Sequence, residues 1–285
     1  MSTVYLNGAY MPMEDATISP MDRGFLFGDG IYEVVPAYDG RMVGFAPHMA
    51  RMRDGLAAIA LPYHVDDEQW HEILTQLLTL NDGENLGIYV QISRGASPHR
   101  HHAFPENTEA TRYAFAFEIP PAPVPDKAKA PRYRVSSTPD LRWQRCNIKS
   151  TSLLGNVLHY QHGHDQGFQE TLLFNNAGEL TEAAACNVFI VKDGCVATPE
   201  LDHQKLPGIT RHLLLDILRR HSALEVQERV ITREEVDAAD EIWLTSSSKE
   251  VAPVIAIDHR PVGDGEVGDV WLQAQTLFTQ YKYDY

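Results

Sequence analysis

Residues 140–151 read Asp-Leu-Arg-Trp-Gln-Arg-Cys-Asn-Ile-Lys-Ser-Thr, and the lysine near their end, Lys149, is the most informative residue of the chain. Of the seven lysines, the other six lie in segments that predict hydrated side chains: a Pro/Ala-rich linker, turns, polar loops and the tail. Lys149 instead lies between a segment with two arginines and an apolar helix. An amine partly removed from water beside other cations can form a Schiff base or move a proton at neutral pH. The alternative is a surface lysine that pairs with Asp140 or a neighbour.

The composition indicates a globular protein of one large domain or two modest ones. The chain has 285 residues, of which 44% are hydrophobic, so a sizeable core is possible. Its formal net charge of -15, from 39 acidic and 24 basic side chains, argues against a nucleic-acid surface and favours solubility. No apolar run approaches the roughly 18 residues of a membrane span, so we expect no membrane partner.

The cysteines and the first residues predict a cytoplasmic protein. Cys146, Cys186 and Cys195 show no paired spacing, and a sparse, odd number fits free thiols in a reducing compartment. Residues 1–8 lack the basic and apolar regions of a secretion signal. We therefore expect a cytoplasmic location.

A proline-rich segment divides the chain. Residues 120–131 contain five prolines, and proline is excluded from the interior of helices and of central strands. We predict a small α+β N-terminal domain at 1–120, an interdomain linker at 121–131 and a larger C-terminal domain at 132–285.

Hydrophobic periodicity predicts both strands and helices. Helices are predicted at 47–60, 66–80, 153–167, 210–221 and 270–282, and strands at 4–6, 31–38, 88–93, 111–119, 132–136, 171–174, 187–191, 225–231 and 241–245. Because strands and helices do not alternate strictly, the sequence favours an α+β first domain and a second domain with a mixed sheet.

Two segments have features of an anion site. Residues 208–211, Gly-Ile-Thr-Arg, open an apolar helix, with Thr210 as the predicted N-cap and Gly208 allowing close approach to the backbone. The N–H groups and the dipole at such an end favour a phosphate. The hydroxyls of Thr-Ser-Ser-Ser at 245–248 follow a predicted strand and also suit phosphate oxygens. A simple helix cap and an ordinary polar turn are the alternatives.

Two further segments carry charged groups. Glu182, in Thr-Glu-Ala-Ala-Ala-Cys-Asn-Val-Phe-Ile at 181–190, precedes a strand predicted to be buried, where a carboxylate can hold a protonated pyridine nitrogen. An edge glutamate facing water is the alternative. The cations of the loop 94–104, Arg-Gly-Ala-Ser-Pro-His-Arg-His-His-Ala-Phe, suit a substrate carboxylate. Adjacent histidines rarely share one metal ion and no nearby acid completes a set, so no metal site is predicted.

Together these motifs resemble the fold-type IV pyridoxal-phosphate aminotransferases. The motifs are Cys-Asn-Ile-Lys-Ser at 146–150, Leu-Thr-Glu-Ala-Ala-Ala-Cys-Asn-Val-Phe at 180–189, Gly-Ile-Thr at 208–210, Thr-Ser-Ser-Ser at 245–248 and Asp-Arg-Gly-Phe-Leu-Phe-Gly-Asp-Gly-Ile-Tyr-Glu at 22–33. The resemblance extends from about Tyr5 to Ile257. Within the family, the D-amino-acid aminotransferases are the most similar group. The similarity lies in three segments: residues 28–35, the Arg-His-His loop before Phe-Pro-Glu-Asn-Thr at 104–108, and residues 140–150.

The resemblance implies a fold, an activity and a set of roles. The fold is that of a two-domain D-amino-acid aminotransferase, whose domain at 132–285 binds pyridoxal 5'-phosphate, and the chain is expected to form a homodimer. The activity is transamination of D-amino acids, of the D-alanine and D-glutamate type, with a 2-oxo acid as acceptor. Lys149 would carry the cofactor as a Schiff base. By motif position, Glu182 would bind the pyridinium and Leu206 would contact the ring. The phosphate would be bound by Arg51, Ile209, Thr210, Ser246 and Ser247. The substrate α-carboxylate would be bound by Tyr32, Arg100 and His102.

Two departures from the family pattern leave alternatives open. The loop between Pro98 and Phe104 is one residue longer, so Arg94 and His101 are rivals for the carboxylate. Residues 183–185 are alanines where the family has glycine and serines, which changes the floor of the substrate pocket.

Other functions on this fold are the alternatives. They are a branched-chain L-amino-acid aminotransferase and an aminodeoxychorismate lyase. Because these relatives place the substrate carboxylate differently, the loop 97–104 discriminates between them and the D-amino-acid aminotransferases. Outside the enzymes, the alternative is a cofactor-binding or purely structural protein, against which the intact Lys149 argues.

Overall fold

The structure, a computed structural model, describes residues 2–285 and divides into two compact units. The first comprises the chain up to Pro121, the segment Ile148–Leu153 and Tyr285, and the second comprises Ala122–Asn147 and Leu154–Asp284. The segment that carries Lys149 thus belongs to the first unit, although it follows the proline-rich segment in the sequence. Domains at 1–120 and 132–285 joined by a linker at 121–131 remain our proposal.

The first unit contains an antiparallel sheet with the strand order β2-β1-β6-β5-β3-β4. Besides a short 3-10 helix at Met13–Asp15, its elements are β1 (Thr3–Leu6), β2 (Ala9–Pro12), α1 (Arg23–Phe27), β3 (Gly30–Tyr38), β4 (Arg41–Met42), α2 (Phe45–Ala58), α3 (Asp67–Leu80), β5 (Asn85–Ser93) and β6 (Thr111–Glu118). Helices α2 and α3 contact the sheet, and their apolar residues form the core with those of β3 and β5.

Helix α3 shows how the sequence pattern produces this packing. Asp66 caps the helix by accepting a hydrogen bond from the N–H of Gln69 over 3.0 Å. Its apolar residues at helical spacing are buried on one face: Trp70, Ile73, Leu74 and Leu77. The predicted helix at 66–80 is therefore confirmed.

The second unit contains a mixed sheet with the strand order β12-β11-β10-β13-β14-β7-β8-β9, and β15 pairs with β14. Its elements are β7 (Tyr133–Pro139), α4 (Leu154–His164), β8 (Glu170–Phe174), β9 (Leu180–Ala183), β10 (Asn187–Lys192), β11 (Cys195–Pro199), α5 (Ile209–His221), β12 (Val226–Arg229), α6 (Arg233–Asp237), β13 (Glu241–Ser246), β14 (Glu250–Ile257), β15 (Arg260–Pro261) and α7 (Asp269–Tyr281). Parallel pairs join β7 to β8, β7 to β14 and β11 to β12, and the other pairs are antiparallel. The mixed α and β architecture agrees with the predicted fold class.

Within residues 2–285, no helix combines the length with the apolar composition that crossing a bilayer requires. In the same part of the chain, no three His, Cys, Asp or Glu side chains come together as metal ligands would.

Candidate active site

The backbone of Lys149 is fixed because the segment Ile148–Leu153 lies beside β3. The N–H of Tyr32 donates to the carbonyl of Lys149 over 3.0 Å, and the N–H of Thr151 donates to the carbonyl of Gly30 over 3.0 Å. The half-buried amine of Lys149 lies 4.2 Å from the centroid of the Tyr32 ring. The ring covers one side of the amine and attracts its charge, so the group is held in place and partly removed from water.

Ion pairing distinguishes Lys149 from most of the other lysines better than burial does. The prediction that six lysines are hydrated is wrong for Lys205 and Lys282, whose side chains are 9% and 4% exposed and bind Asp202 and Glu250. Within residues 2–285, Lys149 and Lys249 are the lysines without a carboxylate at salt-bridge distance.

The alternative interpretation of Lys149, a surface lysine paired with Asp140, does not fit the structure. Asp140 binds Arg142 instead, with 2.7 Å between Oδ2 and Nη2.

Next to Tyr32, the buried carboxylate of Glu33 binds two residues of α2. It accepts from Nε and Nη2 of Arg51 over 2.7 Å each, and Nδ1 of His48 lies 2.6 Å from its Oε2. Burial opposes ionisation of Glu33, but Arg51 and His48 lower its pKa to about 2. Burial lowers the pKa of His48 against the opposing effect of Glu33, so the imidazole is neutral near pH 7 and donates through Nδ1. Arg51, a predicted phosphate ligand, is thereby held in a fixed orientation.

Arg23 holds the loop that carries Arg100 and His102. Its Nη1 donates to the carbonyl of His101 over 2.6 Å, and its Nη2 donates to the carbonyl of His102 over 3.2 Å. The guanidinium carbon of Arg100 lies 5.0 Å from the centroid of the Phe27 ring, and the His102 ring lies 5.5 Å from the same centroid. Two of the three predicted carboxylate ligands therefore lie close to one aromatic ring, and both of these side chains are exposed.

The rival cation, Arg94, is engaged by the protein itself. Its Nε and Nη2 donate to Asp29 over 2.8 and 3.0 Å, its Nη1 to the carbonyl of Ala60 over 3.0 Å, and its Nη2 also to that of Ile59 over 2.7 Å. The Phe104 ring covers the guanidinium at 3.7 Å, and the side chain is 5% exposed. Each of its three guanidinium nitrogens thus has an acceptor within the protein.

In the second unit, Glu182 on β9 is a buried carboxylate with donors on both oxygens. Its Oε1 binds Nη1 of Arg142, and its Oε2 accepts from the N–H of Leu206 over 2.9 Å and from Nδ2 of Asn187 over 3.2 Å. Burial raises the pKa of Glu182, and Arg142 opposes that effect. The alternative of an edge glutamate facing water is wrong, because the residue is 5% exposed.

The start of α5 is suited to an anion. Gly208 is the N-cap, so the prediction that Thr210 caps the helix is wrong, and no side chain makes a capping hydrogen bond. A Cβ added to Gly208 would lie 1.9 Å from Oδ1 of Asn187. No side chain satisfies the first N–H groups of the helix, and such groups at a helix start favour an anion.

The end of β13 provides hydroxyl donors. Within residues 2–285, the buried hydroxyl oxygens of Thr245 and Ser246 have no hydrogen-bond partner. A buried hydroxyl without a partner costs roughly 1–3 kcal/mol, so acceptor oxygens from a bound anion would stabilise this segment. Ser247, the next predicted phosphate ligand, is half-buried in the turn that follows.

The functional groups that sequence analysis missed are partners of the predicted residues. They are Arg142, Asn187, Glu33, His48 and Arg23. Four of them lie inside the quoted family motifs, so their position in the sequence was a usable signal: Arg142, Asn187, Glu33 and Arg23. Asn187 follows Glu182 by five residues, but only the bend after β9 brings its amide to the carboxylate.

Comparison with known proteins identifies the family. The family model described as Amino-transferase class IV matches residues 30–257. The chain therefore belongs to the class IV aminotransferases, which confirms the resemblance seen in the motifs. The D-alanine aminotransferase of Staphylococcus haemolyticus is 36% identical over 283 residues, which cover 99% of this chain and 98% of that protein. The D-alanine aminotransferase of Listeria monocytogenes is 33% identical over 279 residues, covering 97% and 95%.

Solved structures show the same fold. The branched-chain amino acid aminotransferase of Thermobaculum terrenum, in its PLP-form, matches with a TM-score of 0.87 over 99% of this chain and 94% of that one. At 20% sequence identity this similarity concerns the fold alone, and it confirms the predicted fold class.

Proposed function

We propose that the protein transfers the amino group of D-amino acids, of the D-alanine and D-glutamate type, to a 2-oxo acid with pyridoxal 5'-phosphate as cofactor. The observation that carries the proposal is Lys149, an amine held over Tyr32 with no carboxylate partner within residues 2–285. Similarity to D-alanine aminotransferases over nearly the whole chain supports the substrate class. The bound cofactor supplies an electron sink for the charge left on the α-carbon when its proton leaves.

The residues of the chain fit this cofactor. The hydroxyls of Thr245 and Ser246 lack partners, α5 begins without a side-chain cap, and Glu182 is a buried carboxylate. These features suit a phosphate and a protonated ring nitrogen. We assign the phosphate to Arg51, Ile209, Thr210, Ser246 and Ser247, the ring nitrogen to Glu182, and the face of the ring to Leu206.

Lys149 has two roles in this proposal. It links the cofactor to the chain, and its amine, once free, removes the α-proton of the substrate as a general base and then acts as a general acid. The hydrogen bonds between residues 148–153 and β3 hold the backbone, while Tyr32 holds the amine. Proton transfer requires the amine to stay close to the α-carbon, and this double restraint supports that role.

We assign the substrate α-carboxylate to Tyr32, Arg100 and His102. The exposed Arg100 and His102 flank Phe27, which favours them for binding a ligand. The saturated guanidinium of Arg94 favours a structural role for that residue. The ring of His101 accepts from a backbone N–H in its own loop over 3.3 Å, which makes it the weaker rival.

Arg100→Ala is expected to weaken D-alanine binding about ten- to a hundredfold, because a charged hydrogen bond contributes roughly 1.5–3 kcal/mol. Arg94→Ala is expected to lower the melting temperature instead, since it removes one of the two cations that neutralise Asp29. Single-turnover rates at increasing D-alanine concentration, together with thermal melting, separate the two effects. A larger loss of D-alanine affinity in folded Arg94→Ala would reassign the carboxylate to Arg94.

A panel of amino donors tests the function itself. D-alanine is offered with 2-oxoglutarate, D-glutamate and L-glutamate with pyruvate, and L-leucine with either acceptor, and the new amino acid is measured with its chirality. We expect turnover of the D-amino acids. Faster turnover of L-leucine would favour the branched-chain alternative, and pyruvate release from aminodeoxychorismate would favour the lyase. Cofactor binding without turnover of any donor would indicate a cofactor-binding protein that is not an enzyme.

We propose that the protein is a homodimer. Large apolar side chains are exposed on α4 and on the loop before it: Leu141, Trp143, Leu154, Val157 and Leu158. The N–H of Leu141 donates to Nε2 of His159 over 3.1 Å, which joins the loop to the helix. A patch of this kind indicates a protein interface, and the family resemblance indicates a second copy as the partner. Light scattering is expected to give twice the 32.0 kDa of the chain, and a monomer mass at micromolar concentration would contradict the dimer.

We also propose a cytoplasmic location. The cysteines at 146, 186 and 195 are free thiols, and Cys146 and Cys186 are buried. Thiols that stay reduced are typical of a reducing compartment. Cell fractionation tests this assignment, and recovery of the protein outside the cytoplasm would contradict it.

A further inference from the structure

Arg142 contacts Glu182, and the proposed function gives it no role. Its side chain is 2% exposed. Its Nε and Nη2 donate to the two oxygens of Asp140 over 3.0 and 2.7 Å, its Nη2 also donates to the carbonyl of Gln204 over 3.1 Å, and its Nη1 binds Oε1 of Glu182. Thr181 in turn donates to Asp140 over 2.8 Å. The guanidinium is thus fixed along one edge by Asp140 and presents one nitrogen to Glu182.

The other charged or titratable groups near Glu182 do not replace Arg142. They are Asp140, Cys146 and Arg211, and His159 in turn faces Asp140 and Arg142. Burial raises the pKa of Cys146 to about 11, so it is a neutral thiol near pH 7. The Nη2 of Arg211 donates to Glu228 and to a backbone carbonyl, both over about 2.7–2.8 Å. Asp140 is negative, so Arg142 is the cation that favours the ionised form of Glu182.

We propose that Arg142 is a positioning residue that fixes the carboxylate of Glu182 and favours its ionised form, so that a ring nitrogen facing Glu182 keeps its proton. The inference rests on the proposed function, because it takes Glu182 as the partner of the ring. A carboxylate and a pyridine nitrogen share one proton, and burial alone favours the neutral carboxylic acid. A buried cation on the carboxylate opposes that preference, as Arg142 does at Glu182.

The geometry also explains why this cation is an arginine. The planar guanidinium binds Asp140 along one edge and still directs a further donor at Glu182. The ammonium of a lysine is a compact charge without this fork, so it cannot hold both carboxylates in fixed orientations. Arg142→Lys is therefore expected to keep part of the electrostatic stabilisation of ionised Glu182 and to lose part of the alignment of its carboxylate.

The test reads the proton on the ring directly. The full-length protein is loaded with pyridoxal 5'-phosphate labelled with 15N in the ring, and the 15N chemical shift is followed over the pH range in which the protein stays folded. The parent is expected to hold a protonated nitrogen near pH 7, and Glu182→Gln and Arg142→Met an unprotonated one. Arg145→Met removes a positive charge from an exposed side chain of the same loop and is expected to match the parent.

Kinetics provide a second readout. Arg142→Met is expected to lower kcat for D-alanine about ten- to a hundredfold, the effect of losing a charged hydrogen bond, with KM within about twofold. In the Glu182→Gln background the same change is expected to lower kcat by no more than about twofold, because two residues that act through one group are not additive.

The outcomes separate this inference from the proposed function. If Glu182→Gln keeps a protonated ring, Glu182 is not its partner, and both the assignment and the inference fail. If Glu182→Gln loses the proton but folded Arg142→Met keeps it, only the inference about Arg142 is overturned. Should Arg142→Met not fold, Arg142→Gln removes the charge while keeping a hydrogen-bond donor toward Asp140 and Glu182. A protonated ring in folded Arg142→Gln would equally overturn the inference.

Discussion

Lys149→Ala is expected to lower turnover of D-alanine by about a thousandfold or more, because covalent attachment of the cofactor and acid–base catalysis both depend on one amine. The protein is expected to remain folded, since residues 148–153 bind β3 through backbone groups and no carboxylate within residues 2–285 depends on this lysine. Steady-state rates and thermal melting check the two parts. Turnover within about tenfold of the parent would contradict the assignment of Lys149 as the residue that binds the cofactor and transfers the proton.

A chemical experiment tests the covalent role of Lys149 separately. Sodium borohydride, which makes a lysine–carbonyl linkage permanent, is expected to attach the cofactor to the parent chain and not to Lys149→Ala. Lys249→Ala is the matched control, because Lys249 is the other lysine without a carboxylate partner in the described chain. Mass spectrometry of the labelled peptide is expected to identify residues around 149 in the parent and in this control.

Glu182→Gln is expected to lower kcat about a hundredfold, the cost of removing one fixed electrostatic group from an active site, while cofactor affinity falls less than tenfold. A neutral amide does not keep the ring nitrogen protonated, but the phosphate contacts remain. Equilibrium dialysis of the cofactor and steady-state rates measure the two effects.

Glu179→Gln is the control for this change. Glu179 lies three residues before Glu182 and binds Nδ2 of Asn175 over 2.8 Å, so its loss removes a carboxylate of the same segment. It is expected to stay within about twofold of the parent in kcat. Unchanged turnover and an unchanged cofactor spectrum in Glu182→Gln would show that another group serves the ring nitrogen.

The parts of the fold that sequence predicted well are those in which local pattern and tertiary environment agree. Helix α3 has an aspartate at its start and apolar residues at helical spacing, and it packs on the sheet with those residues. Strand β3 follows a glycine-rich turn, and its largely buried residues lie between β5 and β4 in the first sheet. In both cases the residues that favour the element are the ones that bury it.

The elements that sequence analysis missed depend on partners distant in the chain. Strand β14 contains Pro253, which opposes a central strand, yet it pairs with both β13 and β7. The register shift between Val254 and Ala256 shows that its pairing with β7 is irregular near that proline. Helix α1 has only five residues, between its N-cap at Asp22 and its C-cap at Gly28, which are too few for a periodic signal.

The same distinction applies to the candidate site. Motifs could indicate Lys149 and Glu182, because each lies in a distinctive segment. They could not choose between Arg94 and Arg100, because the choice depends on Asp29, which is 65 residues from Arg94 in the sequence. Similarly, Asp140 and Arg142 are near neighbours in the chain, but their link to Glu182 spans 40 residues and appears only in the folded protein.

The contact between Gly208 and Asn187 constrains how this chain can evolve. The amide of Asn187 donates to Glu182 and to the carbonyl of Leu206, and its oxygen occupies the space that a side chain at 208 would need. A substitution at 208 therefore requires the Asn187 side chain to move or to be replaced, and either change removes a donor from Glu182. Positions 182, 187 and 208 form an epistatic set, in which the order of mutations decides whether each intermediate survives.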